Sequence, residues 1–112
     1  MTSVTGATAM PGERRLVQQM QPSDNVATAL VELPPGTLVR LSRSDGTLLE
    51  VTVSATVPIP FGHKVALRAI PAGEPVLKYG EEIGLASSAI PAGAHVHTHN
   101  VDSQRGRGDL HR

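Results

Sequence analysis

One short word recurs four times along the chain, and it limits what the chain can fold into. It reads Leu33-Pro34-Pro35-Gly36-Thr37-Leu38-Val39, then Ile59-Pro60-Phe61-Gly62-His63-Lys64-Val65. It returns as Ile70-Pro71-Ala72-Gly73-Glu74-Pro75-Val76 and last as Ile90-Pro91-Ala92-Gly93-Ala94-His95-Val96. The pattern is aliphatic, Pro, any residue, Gly, two residues, aliphatic. Proline is expected to fix φ at the second turn position, with glycine following where the chain reverses. The flanking aliphatic residues then point into a core. The copies stand 26, 11 and 20 residues apart. Such irregular spacing argues against a solenoid of fixed period and suits a compact β fold with several tight turns.

Strand candidates lie between the turns. Residues 37–41 and 47–53 flank Ser44-Asp45-Gly46, a hairpin signal. Residues 64–70 put Val65, Leu67 and Ala69 on one face. Residues 75–78 read as a short edge strand, after which Tyr79-Gly80 turns the chain. Residues 83–86 are small and apolar, and residues 94–101 form a final strand. Residues 24–33 fit either a helix capped by Ser23 or Asp24 or a strand rich in Val and Thr. Nothing else in the core is helical in pattern, so we favour a strand.

The 112 residues hold one small domain. Residues 1–15 lack apolar periodicity and residues 102–112 are polar and Gly-rich, so both are expected to be mobile tails around a domain at 16–101. One Phe, one Tyr and no Trp leave the core to Val, Leu, Ile and Ala. Burial against a partner would strengthen so thin a core. There is no cysteine, which excludes disulfides, thiolate metal sites and cysteine nucleophiles, and fits a cytoplasmic location. Ten basic residues balance ten acidic ones, so nothing draws the chain to nucleic acid or an anionic membrane. The sequence shows neither a secretory signal nor a membrane span.

Three of the five histidines stand in His95-Val96-His97-Thr98-His99-Asn100. On one strand they share a face, roughly 7 Å apart per pair. That spacing lets two imidazoles converge on a divalent ion completed by a ligand from elsewhere. An ordinary polar strand face is equally open on the local sequence. His63-Lys64, just past a turn, suits an anion or an extra metal ligand, or is a solvated pair. Lys78-Tyr79-Gly80 suits a carboxylate, or is an exposed lysine beside a packed tyrosine. Asp24-Asn25 reads locally as a cap or turn. Arg105-Gly106-Arg107-Gly108-Asp109 has too little charge and no aromatic residue for nucleic-acid stacking.

Six words occur in order: Asp24-Asn25-Val26, Gly62-His63-Lys64-Val65-Ala66-Leu67, Ile70-Pro71-Ala72-Gly73-Glu74, Lys78-Tyr79-Gly80, Ile83-Gly84-Leu85-Ala86 and His95 to Asn100. From about Leu16 to Val101 they resemble the small N-terminal domain of the altronate and galactarate dehydratase family. They are similar also to the separate small subunit of some members, such as sulfolactate sulfo-lyase. The resemblance implies an all-β, SAF-type β-clip of short strands and long turns with little or no helix. It implies a lyase that eliminates water, or sulfite, from a sugar acid or related 2-hydroxy acid. It implies a divalent metal, typically Fe2+, with Mn2+ or Mg2+ as alternatives. The large catalytic partner would be a separate chain. Members often carry His just ahead of the Pro-x-Asp-Asn-Val word, where this chain has Gln21.

Under that resemblance His95, His97 and His99 are expected at the metal. His97 and His63 are the acid–base candidates, and Lys64, Lys78, Asn100 and Asn25 the substrate-binding ones. Removing the hydrogen α to a carboxylate builds charge that a chelating cation stabilises. A non-catalytic SAF-type ligand-binding or docking module is the competing expectation.

Overall fold

A computed structural model describes residues 15–43 and 46–102. The expectations for residues 1–14, the Ser44-Asp45 tip and residues 103–112 lie outside the described residues. Those described form nine short strands and no helix, the all-β class expected. They are β1 (Val17–Gln18), β2 (Val26–Ala29), β3 (Leu38–Ser42), β4 (Leu48–Thr52), β5 (Lys64–Ala66), β6 (Pro75–Lys78), β7 (Glu81–Ala86), β8 (His95–Val96) and β9 (Val101–Asp102). Residues 24–33 thus contain a strand, as favoured over a helix. No helix among the described residues is long and apolar enough to cross a membrane.

All four words fold as the same turn. The N–H of Thr37, His63, Glu74 and Ala94 donates to the carbonyl of Pro34, Pro60, Pro71 and Pro91 at 3.1–3.2 Å. Glycine at the third position has φ between 83° and 88° in all four, which is the type II geometry. Proline therefore opens the turn instead of taking its second position, a correction to the expected register. Only the first copy carries a further proline, Pro35, at that position. The words also pair with one another: Leu33 bridges Ile59, and Ile70 bridges Ile90.

These pairings expose a tandem repeat. The β2 strand leads through a word, the β3–β4 hairpin and a second word into β5. From β5 the same sequence of parts, with the β6–β7 hairpin, leads to β8. β5 thus ends one unit and starts the next. This explains the sheet order β1-β2-β5-β8, beside a β3–β4 sheet and a β6-β7-β9 sheet, all antiparallel.

Each repeat unit has its own core. Val39, Val51 and Val53 of the first hairpin pack with Ala27, Ala29, Leu33, Ile59 and Val65. Val76 and Ala86 of the second pack with Val26, Ala66, Ile70, Ile90 and Val96. Alternation along β2 and β5 sends Ala27 and Val65 to one core, Val26 and Ala66 to the other.

Two expected strands are shorter than their apolar patterns. Residues 64–70 are strand only to Ala66; the Leu67 N–H then bonds the Asn25 carbonyl, and Ala69 is exposed. Residues 94–101 break after Val96 into a turn closed by the Asn100 N–H on the His97 carbonyl at 3.1 Å.

The β6–β7 connection has two residues, Tyr79 (φ 60°) and Gly80 (φ 74°). Two consecutive positive φ values make it a type I′ turn. Tyrosine is strained there, and the Asp24 carboxylate holds it. That buried group accepts the N–H of Tyr79 (2.9 Å), Gly80 (2.8 Å) and Gln21 (3.0 Å).

Candidate metal centre

The histidine geometry follows from strand register. Lys64 pairs with Val96 and Val65 with His95. One step beyond this ladder His63 faces His97, with His95 a diagonal neighbour on the same face. The His63 and His97 rings accordingly stack, centroids 4.1 Å apart at 20°. His63 and His95 lie 5.0 Å apart, with Nδ1 of His63 and Nε2 of His95 in hydrogen-bond contact at 2.8 Å. One ligand nitrogen from each of His63, His95 and His97 falls within 4.8 Å of the others.

This group differs from the one expected on a single strand. His99 is carried away by the turn after Val96; it is exposed, and its tilted ring rests 5.1 Å from that of His95. His63, reached from 32 residues away, stands in its place. The shared turn word was the available signal: it puts a strand start just after Gly62 and Gly93 alike.

Burial pushes the His95 imidazole below its ordinary value, and charge on His99, His63, His97 and Lys64 would push it the same way. His97 is likewise lowered, by lost solvent contact first and then by His63, Lys64 and His99. Neutral imidazoles are thereby favoured, the form that binds a cation. An imidazole set suits iron better than magnesium, which prefers oxygen.

An open cleft of about 210 Å³ adjoins the group, lined by Lys64, Ile83, His97, Thr98 and Val101. His97 borders both. Burial first, and the Lys78 charge second, hold the Lys64 ammonium below the usual lysine range. Lys78 sits 5.1 Å from the Tyr79 ring centre.

Asn25 and Asn100 have structural work instead. Asn25 is buried; its Oδ1 accepts the Leu77 N–H (2.7 Å) and its Nδ2 donates to the Pro75 carbonyl (3.0 Å). Asn100 does the same for β8, accepting the His97 N–H (3.0 Å) and donating to the His95 carbonyl (2.9 Å). Each amide caps a strand edge as a neighbouring peptide would. Gln21 lies at the Tyr79-Gly80 turn, its side chain over Gly80. One residue escaped the sequence reading: Thr28, opposite Lys64 in register, has a buried hydroxyl without a hydrogen-bond partner. Nothing in a lone threonine on a strand signals that.

The family described as the altronate/galactarate dehydratase SAF domain matches residues 15–104. The chain is similar to the (2R)-sulfolactate sulfo-lyase subunit alpha of Paracoccus pantotrophus, 47% identical over 62 residues, which is 55% of this chain and 90% of that protein. It is 44% identical over 78 residues to the altronate dehydratase of Escherichia coli K12, covering 70% of this chain and 14% of the enzyme. The altronate dehydratase of Bacillus subtilis 168 is 35% identical over the same coverage.

Proposed function

Because this chain belongs to the altronate/galactarate dehydratase SAF-domain family, we propose that it is the small subunit of a metal-dependent hydro-lyase. Its substrate would be a sugar acid or related 2-hydroxy acid, and water or sulfite the leaving group. The observation that carries the reading is the convergence of His63, His95 and His97, of which His97 also lines a cleft shared with Lys64.

The partner is a large catalytic chain. This sequence spans 14% of the E. coli altronate dehydratase but 90% of a relative named as a subunit. The first relation supports a further catalytic portion, and the second supports carrying it on another polypeptide. We place the complex in the cytoplasm.

His63, His95 and His97 would hold the ion, with Fe2+ favoured over Mn2+ or Mg2+ by the all-nitrogen donor set. When bound, such an ion stabilises the charge that develops on a substrate carboxylate as its α hydrogen leaves. The Lys64 ammonium orients an acidic group in the cleft. His97 borders both places, so its imidazole, where it does not ligate, is within reach to hold or return a proton. Asn100 sets the angle at which His95 and His97 are presented. His99, exposed beside His95, is left to the second rank of ligand candidates.

The test is co-expression with a dehydratase-like large chain from the same source, metal analysis of the purified complex, and a lyase assay on sugar acids and sulfolactate. Alanine at His63 or His97 should lower bound iron and activity by tenfold or more while leaving the complex assembled. An assembled complex with full iron and activity in both variants would sink the site. A chain that binds the acids with no lyase activity in any complex would mark a binding module.

A further inference from the structure

We propose that Phe61 and Val57 form an apolar anchor on which the large catalytic chain docks beside the histidine group. This rests on the small-subunit reading and adds where the two chains meet.

The four turn words act as controls for one another. They share one backbone geometry, and the residue between Pro and Gly is Pro35, Phe61, Ala72 or Ala92. Proline or alanine therefore satisfies the turn in three copies. The second copy instead carries the only phenylalanine of the chain, 69% exposed and part of neither core. Val57, 62% exposed, and the exposed Pro58 and Pro60 stand around the buried Ile59 in the same segment. No Asp, Glu, Lys or Arg occurs between Glu50 and Lys64. An aromatic side chain in an uncharged apolar surface has the composition of an interface centre. Leu38 and Leu48 are exposed too, but the Arg40–Glu50 ion pair stands between them on the outer face of the first hairpin.

Backbone bonds pin the anchor next to the histidines. The Gly62 N–H donates to the Ala29 carbonyl at 2.8 Å, and the His63 N–H to the Pro60 carbonyl at 3.1 Å. Phe61 is thus held two residues before His63, and an anchor fixed in advance loses little freedom on binding. Charge decides which partner fits. The groups that act on the His95 and His97 imidazoles are other histidines and Lys64, with no carboxylate among them. A second copy packed there about a twofold axis would set these like groups against one another. A large chain that offers an apolar pocket flanked by carboxylates is complementary to both features.

Calorimetric titration of the full chain with a dehydratase-like large chain from the same source measures the docking. Phe61→Ala should weaken binding about tenfold or more, as truncating an interface anchor does. Phe61→Leu, which keeps apolar bulk, should recover most of the loss. Leu48→Ala should change affinity by no more than about twofold, as a residue outside the contact. Affinity of the unmodified chain should fall as salt rises. Each isolated variant should keep the parent's melting temperature, so that lost binding is not lost folding. Full affinity in Phe61→Ala, an equal loss in Leu48→Ala, an affinity indifferent to salt, or a lower melting temperature for Phe61→Ala would each overturn the inference. The small-subunit reading would survive all four, since a complex still forms. No complex with the unmodified chain would overturn both. Self-association of the isolated chain that Phe61→Ala abolishes, with binding to the large chain unchanged, would assign the anchor to a second copy and overturn the inference alone.

Discussion

His95 and His97 present their rings from a strand end whose backbone is fixed by a side chain, the Asn100 amide. Held there, both imidazoles are easier to keep neutral than in the unfolded chain. A base whose folded pKa lies below its unfolded value binds protons more readily when unfolded, so stability rises with pH across that interval. The metal-free protein should therefore lose stability as pH falls below about 6.5, the unfolded histidine value, with no contribution from this source above about pH 7.5. Urea denaturation in chelator at pH 7.5 and 5.5 checks this. A His95→Gln, His97→Gln variant should lose less stability between the two pH values than the parent; an identical loss would show that the pair is not the source. At this scale the sequence was half legible. His95 and His97 stood out by their spacing, whereas Asn25 read locally as a cap or turn and the strand-bridging bonds that it and Asn100 make were not foreseen. Asn25 bonds Leu77 from 52 residues away, and no local pattern encodes that.

Turns were the most legible elements, because Pro and Gly act through their own backbone. Strand ends were not, because the 64–70 and 94–101 patterns continue past the point where bonds to Asn25 and Asn100 bend the chain. The four turns are alike in shape but differ in what surrounds them. Gly36 has open space where a side chain would go, whereas a Cβ at Gly93 would strike the Thr52 carbonyl. At that point the base of the first hairpin closes onto the fourth turn: the Ser54 N–H bonds the Gly93 carbonyl at 2.9 Å and the Ser54 hydroxyl bonds Ala92 at 3.0 Å. Gly36→Ala should cost about 1–2 kcal/mol, the strain of a left-handed alanine. Gly93→Ala adds overpacking of about 1–3 kcal/mol and should move the urea midpoint further. Equal shifts would mean that hairpin and turn are not in contact in solution.

Across the whole molecule the histidine group joins strands from different repeat units. His63 precedes β5, where the first unit ends; His95 opens β8, where the second ends, and His97 directly follows it. The two strands share a ladder of only two residue pairs, Lys64 with Val96 and Val65 with His95. An ion held by all three rings ties these ends together and is absent from the unfolded chain, so its binding energy adds to folding stability. At a free ion concentration of 100 times Kd the gain should be about 2.7 kcal/mol. Thermal unfolding with and without Zn2+ or Fe2+ measures it, and chelator should reverse it. His63→Ala should abolish most of the gain although it leaves His95, His97 and His99 intact, because the tie runs between strands. Lys64→Gln should keep the gain, since Lys64 lines the adjoining cleft and is not one of the three nitrogen donors. If His99→Ala erased the stabilisation and His63→Ala did not, the ion would instead be held by β8 and its turn alone, and the two repeat units would be joined by backbone and core contacts without it.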